Sequence, residues 1–233
     1  MVKTCAYHGL EYTVAKFCND RICYILLPEG LKEDGKKWME EASQHYACTI
    51  VTISGMDWND SMTPWSAEGA FKKGKPFGGH AESFLSSMKN DYFQSIESSL
   101  GIKHAVRSIV GVSLSGLFAL WAGFRCDLFT GIASVSGSLW YDGFADWADK
   151  HTLSPAVEKI YLSLGDNEKK SKDKRMANVE SATQQIIDSL RSKEKAVEFS
   201  LEKNTTHFSP VVPRLDKALE SLYWECAPAQ SED

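Results

Sequence analysis

The chain has 233 residues, a formal net charge of −5, and 43% hydrophobic against 24% charged residues. That is enough apolar material for one sizeable core, and it excludes a fibre or a disordered chain. Mild acidity without a basic stripe argues against a nucleic-acid partner.

The opening segment, MVKTCAYHGLEY, lacks the apolar stretch of a secretory signal. No apolar run approaches the ~20 residues that span a bilayer. The expectation is a cytoplasmic protein with no membrane partner. Residues 11–17 (EYTVAKF) and 21–28 (RICYILLP) read as strands paired through a short polar turn. An amphipathic helix is predicted over 30–45 and a buried strand over 48–54 (CTIVTIS). A loop rich in Gly, Pro and Trp then runs from 55 to 79, a length that points to function inside a compact domain. A helix is predicted over 80–100. Strands at 107–112, 131–136, 159–164 and 196–201 then alternate with helices at 114–124, 177–193 and 213–224. This alternation predicts an α/β fold: a mostly parallel sheet flanked by helices on both faces, formed by a single domain over 1–233. Ligands in such sheets sit at the carboxyl ends of the strands.

Six cysteines invite a disulfide reading. A chain of this size has no need of staples, so free thiols are expected; Cys18 and Cys23 flank the turn and read as two strand-end thiols, with a facing pair across the hairpin as the alternative. No CxxC pair or His/Cys cluster suggests a metal, and no cofactor is expected.

Residues 111–116 read GVSLSG, after an apolar strand and at the start of a helix. That is the setting of a nucleophile elbow, whose tight turn needs small residues two before and two after the nucleophile. Gly111 and Ser115 meet the need around Ser113. Ser115 as nucleophile would place Leu117 at the crossing, which is too bulky. Ser113 is therefore the candidate, with a helix N-cap as the competing role. The Leu114 N–H, at the helix start, is a candidate oxyanion donor.

A serine hydroxyl needs a base, and in this strand–helix order the acid and then the histidine follow the serine. Of six histidines, only His151 and His207 follow Ser113. His151 precedes the strand at 159–164, whereas His207 follows the last predicted strand. The acid is expected after the strand ending near Leu164, where Asp166 and Glu168 compete. Glu168 is favoured and Asp166 is the alternative. The lysines that follow read as a solvated face.

At this point the chain resembles the Putative esterase family of α/β-hydrolases, which includes enterochelin-type esterases, feruloyl esterases and mycolyltransferases. The markers are SGMDWN at 54–59, TPW at 63–65, FGG at 77–79, GVSLSGLF at 111–118, SGSLW at 136–140, SLGDNE at 163–168 and THFS at 206–209. The resemblance implies an α/β-hydrolase fold and supports Glu168 over Asp166. It places a second oxyanion donor at the backbone of Met56 or Asp57. Trp58, Trp65 and Trp140 are candidates for the walls of an acyl or alcohol pocket, with packing as the competing role for Trp58 and Trp65. Relatives carry Gly where Ser115 stands, and often a polar residue where Val112 stands. The expected function is a serine esterase acting on a small-molecule ester through Ser113, Glu168 and His207. Acyl transfer by the same groups, and a non-catalytic binding protein on this scaffold, are the alternatives.

Overall fold

The computed structural model describes residues 2–70 and 74–223. Eight strands form one sheet: Val2–Tyr7 (β1), Leu10–Ala15 (β2), Arg21–Leu26 (β3), Thr49–Ser54 (β4), Val106–Val112 (β5), Phe129–Val135 (β6), Lys159–Gly165 (β7) and Val197–Glu202 (β8). Their order across the sheet is β1-β2-β4-β3-β5-β6-β7-β8. The β1–β2 and β2–β4 pairs are antiparallel and all others are parallel.

The helices are Glu33–His45 (α1), Trp58–Ser61 (α2), Ala81–Ser87 (α3), Phe93–Ser99 (α4), Leu114–Arg125 (α5), Phe144–Lys150 (α6), Lys174–Ala177 (α7), Val179–Ser192 (α8) and Val212–Tyr223 (α9). The strand period of two splits the core between the two sheet faces. On β3, Cys23 and Ile25 join Met39 of α1 and Leu215 and Leu219 of α9. Ile22, Tyr24 and Leu26 join Leu117 and Phe118 of α5 on the other face. Helix α5 is buried from Leu114 to Gly123, which explains its nearly continuous apolar sequence.

The expected hairpin between 11–17 and 21–28 does not form, because β4 lies between β2 and β3. Strand β4 is buried along its whole length and takes both as neighbours. The connection is fastened by Thr49, whose hydroxyl accepts from the N–H groups of Phe17 and Cys18 and donates to the Cys18 carbonyl at 2.7 Å. Cys18 and Cys23 are accordingly not cross-strand partners. Cys5, Cys18, Cys23, Cys48 and Cys126 are free thiols. Cys226 and the expected helix end at Trp224 lie outside the described residues.

Strand β1 was not anticipated. It is an edge strand with no buried residue, so it lacks the alternation that marks a half-buried strand. It joins β2 through a two-residue hairpin turn in which His8 and Gly9 both take positive φ, 47° and 84°. The predicted helix over 80–100 is broken by a π-helical turn at Met88–Tyr92. The long loop holds α2 and a bridge between Ala67 and Phe77. Among the described residues no helix is long and apolar enough to cross a membrane.

Candidate active site

Strand β5 ends at Val112 and α5 begins at Leu114, leaving Ser113 alone to reverse the chain. It does so with φ 60° and ψ −123°. Holding a non-glycine residue in such a conformation costs about 1–3 kcal/mol and needs support from its surroundings. The support is visible. The Ser113 N–H donates to the Val135 carbonyl at 3.1 Å, and its own carbonyl accepts from Ser138 N–H at 2.9 Å. The crossing is close: a Cβ on Gly111 would lie 1.9 Å from the Ser115 carbonyl oxygen, so only glycine fits there.

Ser115 is fully buried and its hydroxyl is occupied. It accepts from Val112 N–H at 2.8 Å and donates to the Leu26 carbonyl at 2.7 Å. The serine at this position therefore ties the elbow to the end of β3.

Ser113 Oγ lies 3.0 Å from His207 Nε2, and His207 Nδ1 lies 3.0 Å from Glu168 Oε2. Three strands bring these groups together. Ser113 follows β5, Glu168 follows β7, and His207 lies in the loop after β8. Gly165 at the end of β7 lets that loop pass, since a Cβ there would sit 2.3 Å from the Thr205 carbonyl oxygen. Asn167 N–H donates to the same carbonyl at 3.0 Å.

Glu168 is buried, and its Oε1 accepts from Gly165 N–H at 2.8 Å and from the Ser136 hydroxyl. Burial pushes this carboxyl's pKa up. The hydrogen bonds from His207, Ser136 and Gly165 outweigh that and hold it below the ordinary carboxylate value. Asp166 is turned elsewhere. Its Oδ1 accepts from Thr205 N–H at 3.2 Å and from the Asn167 amide at 2.9 Å. It fastens the loop that carries His207.

Leu114 N–H opens α5, where the first helical amides have no acceptor within the helix. Met56 is buried after β4, and the Asp57 carboxylate caps α2 and pairs with Lys75 at 3.0 Å. Trp65 donates to the Asp142 carbonyl and packs among Tyr141, Phe144 and Trp147. Trp58 packs against the core. Trp140 lines a cavity of about 580 Å³ shared with His207, Glu168, Met176, Val179 and Phe208. A larger open depression of about 940 Å³ lies near the start of β7 and β8, away from the carboxyl ends of the strands.

Sequence reasoning missed the groups behind the acid. Arg214, at the start of α9, lies 3.5 Å from Glu168 and 3.3 Å from Glu202, and all three side chains are buried. An arginine in the first turn of an amphipathic helix carries no local signal of this contact. Ser136 opens the marker at 136–140, which carries no local sign of its hydroxyl's contact with Glu168.

A nucleophile, an imidazole and a buried carboxylate in this order can activate a hydroxyl for attack on an acyl carbon. Residues 34–208 match the model of the family described as "Putative esterase". The chain belongs to this esterase family. The uncharacterized Bacillus subtilis (strain 168) protein YbbA is 29% identical to this esterase over 210 residues, covering 86% of this chain and 84% of that protein. An IroE-like serine hydrolase from Shewanella oneidensis superposes with a TM-score of 0.75 at 19% identity, over 97% of this chain and 80% of the other. The siderophore hydrolase EstA from Aspergillus nidulans superposes with a TM-score of 0.73 at 17% identity, over 97% and 95% of the two chains. At such identities the structural likeness speaks for the fold of this esterase, which is the α/β-hydrolase fold.

Proposed function

We propose that the chain is a serine esterase that cleaves a small-molecule carboxylic ester through an acyl-enzyme. The supporting observation is the unbroken run of contacts from Ser113 through His207 to Glu168. His207 takes the Ser113 proton as Oγ attacks the ester carbonyl. Glu168 holds the ring in place and offsets the charge that His207 acquires. The developing oxyanion rests on Leu114 N–H and on the backbone N–H of Met56 or Asp57. His207 then gives its proton to the leaving alcohol, and the acyl group stays on Ser113. Water, deprotonated by His207, releases the acid and restores the serine.

A fluorophosphonate probe tests this reading. Wild-type protein is expected to be labelled once, and Ser113→Ala not at all. The same substitution is expected to lower turnover of short p-nitrophenyl esters by about 10⁴-fold or more. An unlabelled wild type, or equal labelling of the variant, overturns the reading.

A further inference from the structure

The cavity beside His207 has two kinds of wall. Trp140, Met176, Val179 and Phe208 make most of it apolar, and Lys170 and Lys172 stand at its polar side. Phe208 is 88% exposed and meets the His207 ring edge-on at a centroid distance of 5.4 Å. A phenyl ring so fully exposed beside the base is unsatisfied by its own chain, and apolar contact from a ligand would cover it.

The charges around the cavity are unevenly matched. Glu168 is spent on His207, Ser136, Gly165 and Arg214. Neighbouring Lys169 is paired with Glu180 and Arg175 with Asp142. Among the described residues, Lys170 donates only to the neutral Asn167 amide oxygen, at 2.6 Å. Lys172 is exposed and has no ion-pair partner among the described residues. Among the described residues, the uncompensated charges on the cavity wall are therefore both positive, in a protein whose net charge is −5. A local positive field over an apolar cavity selects and steers an anion.

Resting on the esterase reading above, we propose that the substrate is an anionic ester. One arm has an apolar body that fills the cavity between Trp140 and Phe208. That arm ends in a carboxylate or phosphate group held by Lys170 and Lys172. The lysine run that reads in the sequence as a solvated face is thereby divided: Lys169 is paired on the surface, and Lys170 and Lys172 face the ligand.

Matched pairs of esters test the proposal. Each pair differs only in a terminal carboxylate or its methyl ester, carried on the acyl arm in one pair and on the alcohol arm in the other. In at least one pair, kcat/KM is expected to favour the anionic member by about tenfold. The preference is expected to shrink as salt is raised from about 0.01 M to 1 M. The double substitution Lys170→Glu with Lys172→Glu is expected to abolish or reverse that ratio. Equal kcat/KM within both pairs, or a ratio that the double substitution leaves unmoved, overturns the proposal while the esterase reading stands. Turnover of neither member, or turnover that survives Ser113→Ala, overturns the esterase reading and the proposal with it.

Discussion

Arg214 stands 3.5 Å behind the Glu168 carboxylate, whose other oxygen faces His207. Its Nε lies 3.3 Å from Glu202, and Lys217 reaches the same Glu202 oxygen at 3.8 Å. Two buried carboxylates thus share one buried guanidinium. Removing one partner from a buried ionic cluster leaves the others uncompensated, which costs about 3–5 kcal/mol. Arg214→Met is therefore expected to lower unfolding free energy by that order, read from urea titrations. It is also expected to lower kcat more than it raises KM, because the charge that positions Glu168 is lost and the ester pocket is not. Arg214→Lys restores part of kcat if charge matters, and none if the guanidinium serves packing alone.

Glu168 and Asp166 differ in what they touch, and their amides separate the two roles. Glu168→Gln keeps the shape but loses the charge beside His207, so kcat/KM is expected to fall by about 10³–10⁴-fold. Asp166→Asn retains an acceptor for Thr205 N–H, and its kcat/KM is expected to stay within about tenfold of wild type. Comparable losses in the two variants would contradict this division.

Acid stability follows from the depressed Glu168 carboxyl. In the unfolded chain the group titrates near its ordinary value of about 4.3. Its folded value is lower, so the folded state binds the proton less readily. The stability it contributes is present above the unfolded value and is lost as pH falls through the folded one. Urea midpoints measured between about pH 3 and pH 6 should fall less steeply for Glu168→Gln than for wild type. Parallel curves would show that the depressed carboxyl contributes nothing to acid unfolding.

The turn at Ser113 makes a prediction two residues further on, at Ser115. Ser115→Ala removes the hydroxyl that joins Val112 N–H to the Leu26 carbonyl. It is expected to cost about 1–3 kcal/mol in thermal or urea unfolding. Fluorophosphonate labelling at Ser113 should persist, since Ser113 keeps its own backbone contacts. Gly111→Ala is the severe counterpart. Its methyl would meet the Ser115 carbonyl oxygen at 1.9 Å, and loss of soluble, labelled protein is expected.

Much of this site is written locally. A strand, Gly111, Ser113 and a helix start are contiguous, so the turn that exposes Ser113 follows from short-range sterics. The order of Ser113, Glu168 and His207 is likewise a property of the sequence, as is the strand–helix alternation that predicts the parallel sheet. Strand pairing was less accessible. Strands β2 and β3 look like a hairpin because they are close in sequence, yet the fully buried β4 claims an edge of each. Edge strand β1 is nearly invisible because exposure removes the apolar alternation that reveals strands.

By itself, the sequence determined the residue types, their order and the local turns, because these depend on backbone sterics and on apolar periodicity over a few residues. Only the tertiary structure decided which carboxylate faces His207, that Arg214 stands behind it, and that Lys170 and Lys172 border a cavity. Those are contacts between segments far apart in the chain. They are set by how the helices pack on the sheet and how closely Gly165 lets the His207 loop approach.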